Sequence, residues 1–523
     1  MAKKIKPVNI LPFRLHNIED FVHQTHPVYM PDTPAYDSYW DKQLEFNIQG
    51  LWGHDYDKKK DIGGYRYMPK NLHFYINATQ IKIQGDRGQE VEGPPLLRDI
   101  EWSMGYDLAA CDGFAGFESS PFTGFRPVLK TQLNLELSET EKYMLDQYGD
   151  FVRDKYGRLK PYKDPLDILY DTYNEPLGNP LYFNERKNGL ILSTRGCGKS
   201  FSAVNMLALY GFIFNGAQSV EEYYSKRTSI TTVVGSYESK KSEELLSKME
   251  ISHKYIKEVL GAYTYGPDDV QNGVFWHPYS GSTAVGGALR KMVKSKSGMG
   301  SEGIDNKIPH VTWKVDASAA VGHRANILVE EAALMTNFFA VRGENSAVQG
   351  RDWKTFFSWY IGTGGDVTAI KAMSSAFWNP DAFDILSHPD IFTGTNKRIA
   401  TFYPAYVRKN IFKDEMGNSD VERGFRDEMY ERDRRKHRME AYTRYCISYP
   451  IVPREMFQQA ESGYFPLNLV EDGLDNIEAD PPKKSVGFYM SNPAGKPIWN
   501  EDVAGRLTPI ESIVVGDEVM DKR

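Results

Sequence analysis

Cysteine is scarce: only Cys111, Cys197 and Cys446 occur in 523 residues. None stands at a spacing that would pair them or grip a metal, which points to a reducing compartment. Long apolar runs are missing too. No stretch approaches the ~20 residues that a membrane helix needs, and the basic opening MAKKIKP has no apolar segment behind it, so neither a membrane span nor a leader is expected. There is no excess of positive charge. A formal net charge of −7 argues against a constitutive nucleic-acid coat, while leaving room for a local grip on phosphate. Metal-ligand spacing is also absent near the N-terminus: His16, His23 and His26 lack a fourth ligand and read as surface histidines.

What is present is the composition of a folded protein, with 25% charged and 41% hydrophobic residues. The length fits two or three domains of ~150 residues each. Residues 1 to about 160, rich in Tyr, Trp, Pro and Gly, read as an accessory region without catalytic spacing. In it His73–Ile83 (HFYINATQIKI) looks strand-like, and Pro94–Trp102 a Pro-led helix start with acidic residues in an early turn. LNLELSETEKYMLDQYGDFVRDKYGRLKPY reads as a helix pair. A second domain is expected over 161–470, and from about 165 to 400 apolar strands alternate with helical segments, the pattern of a mostly parallel α/β sheet flanked by helices. Gly286–Gly303, basic and glycine-flanked, reads either as a solvated loop or as a loop that touches a polyanion. A charged helical subdomain is expected at about 403–447, and a linker with an incomplete C-terminal segment over 471–523.

The chain is organised around Ile191–Ser200, ILSTRGCGKS. An apolar strand at Gly189–Leu192 runs into a tight turn and then a helix opening at Lys199. Gly196 and Gly198 can take positive φ and bring the backbone close to a ligand. The unpaired amides of the helix start make an anion site. Lys199 adds a cation for the β- and γ-phosphates of ATP, and Ser200 a hydroxyl for the Mg²⁺ of the bound nucleotide. Thr194, Arg195, Gly196, Cys197, Gly198, Lys199, Ser200 and Phe201 are the expected nucleotide-binding residues. The strict pattern GxxxxGK[ST] wants Gly where Ser193 stands, and Cys197 reads as a small filler. Tyr182 or Phe183, just upstream, could stack on the base.

Hydrolysis also needs a carboxylate for the metal and another for the attacking water. Ala325–Met335, ANILVEEAALM, supplies an apolar strand ending in Glu330 and Glu331, at the strand end where open α/β sheets bind ligands. Glu330 is the candidate metal residue and Glu331 the candidate base. The plainer alternative is a helix start with acidic residues.

TRGCGKS, ILVEEA, GTGGD and YPIVPREMFQQAESGYFP together resemble the large terminase subunit of tailed bacteriophages, over about residues 165–470. The resemblance implies a P-loop ATPase of the terminase type, in which Arg195 acts as a cis arginine finger. It also implies that the turn Gly362-Thr363-Gly364 couples hydrolysis to motion, although Thr363 could equally be a plain turn hydroxyl. Asp is commoner than Glu at the metal position, so Glu330 is a departure. The partners implied are double-stranded DNA, the portal protein and the small terminase subunit. The implied setting is the host cytoplasm, with the subunits forming a ring at the prohead portal.

Large terminases continue into an RNase H-like nuclease, and the ~50 residues after Phe465-Pro466 are too few for one. This tail reads as a truncated nuclease start, where Asp517 could mimic the first aspartate, as a small subdomain, or as an intein opening with Ser491 at the nucleophile position. Other readings of the whole chain are a helicase-like nucleic-acid-remodelling ATPase and a nucleotide-gated assembly module without turnover.

Overall fold

A computed structural model describes, apart from short internal gaps, residues 5–112, 186–256, 307–343 and 356–457. It also describes a few residues at 153–159 and short strands between 287 and 302 and between 486 and 521. Pro7–Ala460 form one compact unit, and Met1–Lys6 with Glu461–Arg523 another.

In chain order the larger unit opens with helix α1 (Pro34–Gln49), capped by the Thr33 hydroxyl, which accepts from the Tyr36 amide. The antiparallel pair β1 (Leu51–Asp57) and β2 (Ile62–Met68) follows. Next come α2 (Lys70–Ala78), the pair β3 (Ile81–Gln84) and β4 (Glu90–Gly93), and α3 (Asp99–Cys111). His73–Ile83 is therefore mostly helix rather than strand. Leu72, His73, Phe74, Tyr75 and Ile76 are all buried, and tertiary packing overrides their β propensity. Helix α3 begins at Asp99, four residues beyond the prolines, with Asp99 and Glu101 in its first turn. Most of the expected helix pair beyond Leu133 lies outside the described residues; near its end Arg153 and Leu159 form an antiparallel bridge, so the chain turns there and does not continue as a helix.

The sheet begins with β5 (Gly189–Ser193), buried throughout. Helix α4 opens as Lys199–Ala203 and runs on through a π-type segment Val204–Leu209 into Tyr210–Phe214. Then come β6 (Thr231–Ser236), α5 (Ser239–Tyr255), β7 (Gly287–Ala288) and the hairpin β8 (Lys291–Ser295) with β9 (Gly298–Glu302). The basic segment expected as a loop thus contains an antiparallel hairpin. Further on are β10 (Lys307–Ile308), β11 (His310–Thr312), β12 (Ala325–Glu330), β13 (Ser358–Gly362) and α6 (Val367–Trp378). The short pair β14 (His388–Pro389) and β15 (Arg398–Ile399) precedes β16 (Thr401–Tyr403). The charged helices α7 (Val421–Asp433) and α8 (Met439–Ser448) complete the unit. In the smaller unit, β17 (Val486–Met490) pairs with β18 (Pro497–Glu501), and β19 (Ser512–Val515) with β20 (Glu518–Asp521).

The strand order is β16-β5-β13-β12-β6-β10-β7, with β11 also pairing β6. All of these pairings are parallel except β10 with β7. Each central strand sends alternate residues to opposite faces. Ile191, Val234 and Leu328 join one core, and Leu190, Leu192, Val233, Ile327 and Val329 the other. Cover on both faces explains why these strands read as continuous apolar runs.

The first core also takes in Leu44, Phe74, Trp102 and Cys111 from the N-terminal segment. Phe74 meets Tyr210 and Phe214 edge-on, and the Ser202 hydroxyl donates to the Tyr75 oxygen at 3.2 Å. The boundary expected near 160 therefore does not coincide with a break in packing. His23, expected at the surface, is half-buried: its ring lies 5.8 Å from that of His73 and 6.1 Å from Phe46. No helix among the described residues is long and apolar enough to cross a membrane.

Candidate active site

Strand β5 delivers the loop Thr194–Gly198 to the carboxyl edge of the sheet. The strand end is anchored from the β16 side, where the Thr194 amide donates to the Tyr403 carbonyl at 3.0 Å. Gly196 (φ 76°) and Gly198 (φ 88°) both take left-handed backbone, which only glycine adopts without strain. Cys197 is buried with its Sγ 3.3 Å from the Ser193 hydroxyl, so the thiol fills the turn and is not presented to a substrate. Arg195, Gly196 and Gly198 are exposed, and Lys199 and Ser200 half-buried.

Among the described residues, the amides from Gly196 to Phe201 have no hydrogen-bond partner. The first paired amide of the helix is that of Ser202, bonded to the Gly198 carbonyl at 3.3 Å. A row of unpaired N–H groups at a helix N-terminus fits a polyphosphate. The Lys199 ammonium and the Arg195 guanidinium likewise have no ion pair among the described residues.

Strand β13 lies between β5 and β12, so the loop and the acid pair stand two strand spacings apart, about 10 Å. Gly362 pairs with Leu192, and Val329 with Tyr360, which brings Glu330, Glu331, Thr363 and the loop to the same edge of the sheet. Glu330 ends the strand and is 4% exposed. Glu331 turns the chain in a left-handed conformation (φ 54°) into a 3-10 turn at Ala332–Leu334. Of the helix-start alternative the structure holds one 3-10 turn, with Glu331 at its N-cap; no α-helix opens at these acids.

A buried carboxylate needs a counter-charge. Lys248 Nζ, on α5, lies 3.8 Å from Glu330 Oε1 and 5.6 Å from the centre of the Phe201 ring. Lys241, about two turns earlier on the same helix, also feels the acid pair. Burial works against its ammonium, but Glu244, with Glu331 and Glu330 adding to it, outweighs burial and raises its pKa above the ordinary lysine value. Beside Glu330, the buried Ser236 Oγ has no hydrogen-bond partner. A nearly enclosed carboxylate beside an unpartnered hydroxyl offers hard oxygen donors of the kind Mg²⁺ takes, although no cluster of three or more His, Cys, Asp or Glu that could hold a metal occurs among the described residues.

The loop and the β13 turn both rest on the end of α8. The Arg195 amide donates to the Ser448 carbonyl at 3.1 Å. A Cβ on Gly364 would lie 2.5 Å from the Ile447 carbonyl oxygen. Further along the same subdomain, Arg432 is 2% exposed and forks onto Glu455 at 2.5 and 2.8 Å. This charge run is therefore not only a solvated face.

Lys241 and Lys248 were not singled out by the sequence reading. Their seven-residue spacing on a helix that follows β6 was the available signal. Arg98, which touches the loop from 99 residues upstream, had none. Tyr182 and Phe183 lie outside the described residues, as do Gly365, Asp366, Ser491 and Asp517.

No protein-family model matches the chain, and no curated protein matches it. Among solved structures it is similar to the large terminase ATPase domain of Thermus phage P74-26, with 9% identity over 51% of this chain and 88% of that one, and a TM-score of 0.31. A mutant of that domain gives 9% identity over the same shares and a TM-score of 0.32. The large terminase of bacteriophage HK97 gives 12% identity over 64% of this chain and 53% of that one, with a TM-score of 0.27.

Proposed function

We propose that this chain hydrolyses ATP as the motor subunit of a bacteriophage large terminase, driving double-stranded DNA into a prohead. One observation carries the reading: the phosphate-type loop after β5 and the acid pair ending β12 open at the same sheet edge, with β13 between them. In this reading the unpaired amides from Gly196 to Ser200 bind the polyphosphate, and Lys199 neutralises its terminal groups. Ser200 and Glu330 would hold Mg²⁺, whose charge would offset the negative charge on the transferred phosphoryl group. Glu331, the next residue, orients and deprotonates the attacking water. Arg195, exposed and uncommitted, is free to meet charge on the γ-phosphoryl oxygens as it develops. Thr363 senses loss of that group.

The shared footing of the Arg195 amide and Gly364 on α8 supports a route from hydrolysis to the helical subdomain. The chain's partners in this reading are DNA, the portal ring and the small terminase subunit, in the host cytoplasm. Steady-state ATPase assays with and without double-stranded DNA test it. DNA should stimulate turnover, and Lys199→Ala should abolish turnover without lowering the melting temperature. Parent-level hydrolysis in Lys199→Ala would remove this loop as the site.

A further inference from the structure

Arg98, the residue before α3, reaches the phosphate loop from outside the sheet. Its Nη2–H donates to the Cys197 carbonyl at 3.1 Å. The same nitrogen bonds Glu101, Nε donates to the second Glu101 oxygen at 2.8 Å, and Nη1 donates to Asn410 Oδ1 at 3.2 Å. The two side chains are 13% and 1% exposed. Each nitrogen of the guanidinium is thus engaged and four of its five N–H groups are used, so Arg98 differs from Arg195, whose guanidinium has no ion pair among the described residues.

Its effect is on the backbone. A trans peptide is planar, and its C=O and N–H point in opposite directions; no cis peptide occurs in the described chain. Holding the Cys197 carbonyl toward Arg98 turns the Gly198 N–H, which has no partner among the described residues, to the opposite side. The left-handed φ of 88° at Gly198 leaves that peptide plane free to flip if nothing holds it. A Cβ at Gly198 would stand 3.0 Å from Arg98 Nη2, so the guanidinium is seated directly against the turn.

We propose that Arg98 is a positioning residue for nucleotide binding: backed by Glu101, it locks the Cys197–Gly198 peptide so that the Gly198 amide faces the polyphosphate. The inference rests on the nucleotide-binding reading of the loop and adds to it a part for the N-terminal segment. A mere structural tie between α3 and the sheet would alter folding stability alone, whereas a positioning role alters nucleotide affinity.

The test uses the full chain, Mg·ADP titration calorimetry, ATPase kinetics and melting of the nucleotide-free protein. Arg98→Met combined with Glu101→Gln removes the buried pair without stranding a carboxylate. Arg98→Lys keeps a charge for Glu101 but lacks the fork that spans both acceptors. Losing one aimed bond to a charged group should weaken Mg·ADP binding roughly tenfold in the double variant, and several-fold in Arg98→Lys. KM for ATP should rise in step while kcat changes much less. Parental Mg·ADP affinity in either folded variant, with or without a lowered melting temperature, would overturn the proposal. If the parent itself does not bind Mg·ADP, the nucleotide reading of the loop fails first and this inference falls with it.

Discussion

Arg195 and Lys199 stand four residues apart on one turn, and both side chains lack an ion pair among the described residues, an arrangement suited to an arriving polyanion. The two should nevertheless fail differently. An arginine that binds at full strength only in the charge-rich transition state contributes to kcat more than to affinity. Arg195→Ala and Arg195→Lys should each lower kcat by roughly 10²-fold, a barrier increase of ~3 kcal/mol, while nucleotide-binding titrations change little. Wild-type kcat in Arg195→Ala would mean that the guanidinium plays no part. Away from the site, burial pushes the His73 imidazole well below its usual 6.5, with His23 adding in the same sense, and burial also lowers His23. The unfolded chain takes up these protons near pH ~6.5 while the fold keeps the rings neutral. Stability is therefore full above that pH and falls as the pH drops below it, by at most ~1.4 kcal/mol per pH unit for His73. Melting curves from about pH 7.5 to 5.5 should show the decline, with a shallower slope in His73→Gln. At this scale the loop was legible in the sequence because its glycines, lysine and serine are contiguous. Lys248 and Arg98 were not, because their contacts are made only by folding.

Strands β5, β6, β12 and β13 were legible from their apolar runs because both faces of the sheet are covered. Helix α2 was not: its aromatic and β-branched residues suggest a strand, and only their burial against α4 explains the helix. The element that ties the site together is α8, whose last carbonyls meet both the phosphate loop and the β13 turn. Gly364→Ala would drive a Cβ into the Ile447 carbonyl, and that backbone can yield only by shifting the end of α8. Overpacking of this kind costs about 1–3 kcal/mol, so the melting temperature should fall moderately. If α8 relays the state of the site, DNA-stimulated turnover should fall much further than nucleotide affinity. An equal loss of both would reduce the contact to packing.

For the molecule as a whole, the N-terminal segment and the sheet share one hydrophobic core, so the accessory region participates in the architecture of the site. Composition gave no hint of this, since aromatic-rich segments look alike whether they fold alone or against a neighbour. If an acid at the end of β12 drives ATP hydrolysis, Glu331→Gln should stop it, because the amide keeps the shape and loses the base. Turnover should be measured in the full chain with double-stranded DNA, alongside Mg·ATP binding, for the parent, Glu331→Gln and Glu330→Gln. On this mechanism Glu331→Gln should bind Mg·ATP as the parent does but not hydrolyse it, while Glu330→Gln should shift the Mg²⁺ dependence to higher concentration. Parental turnover in both variants would contradict it and leave Glu330 and Glu331 as charges at a strand end.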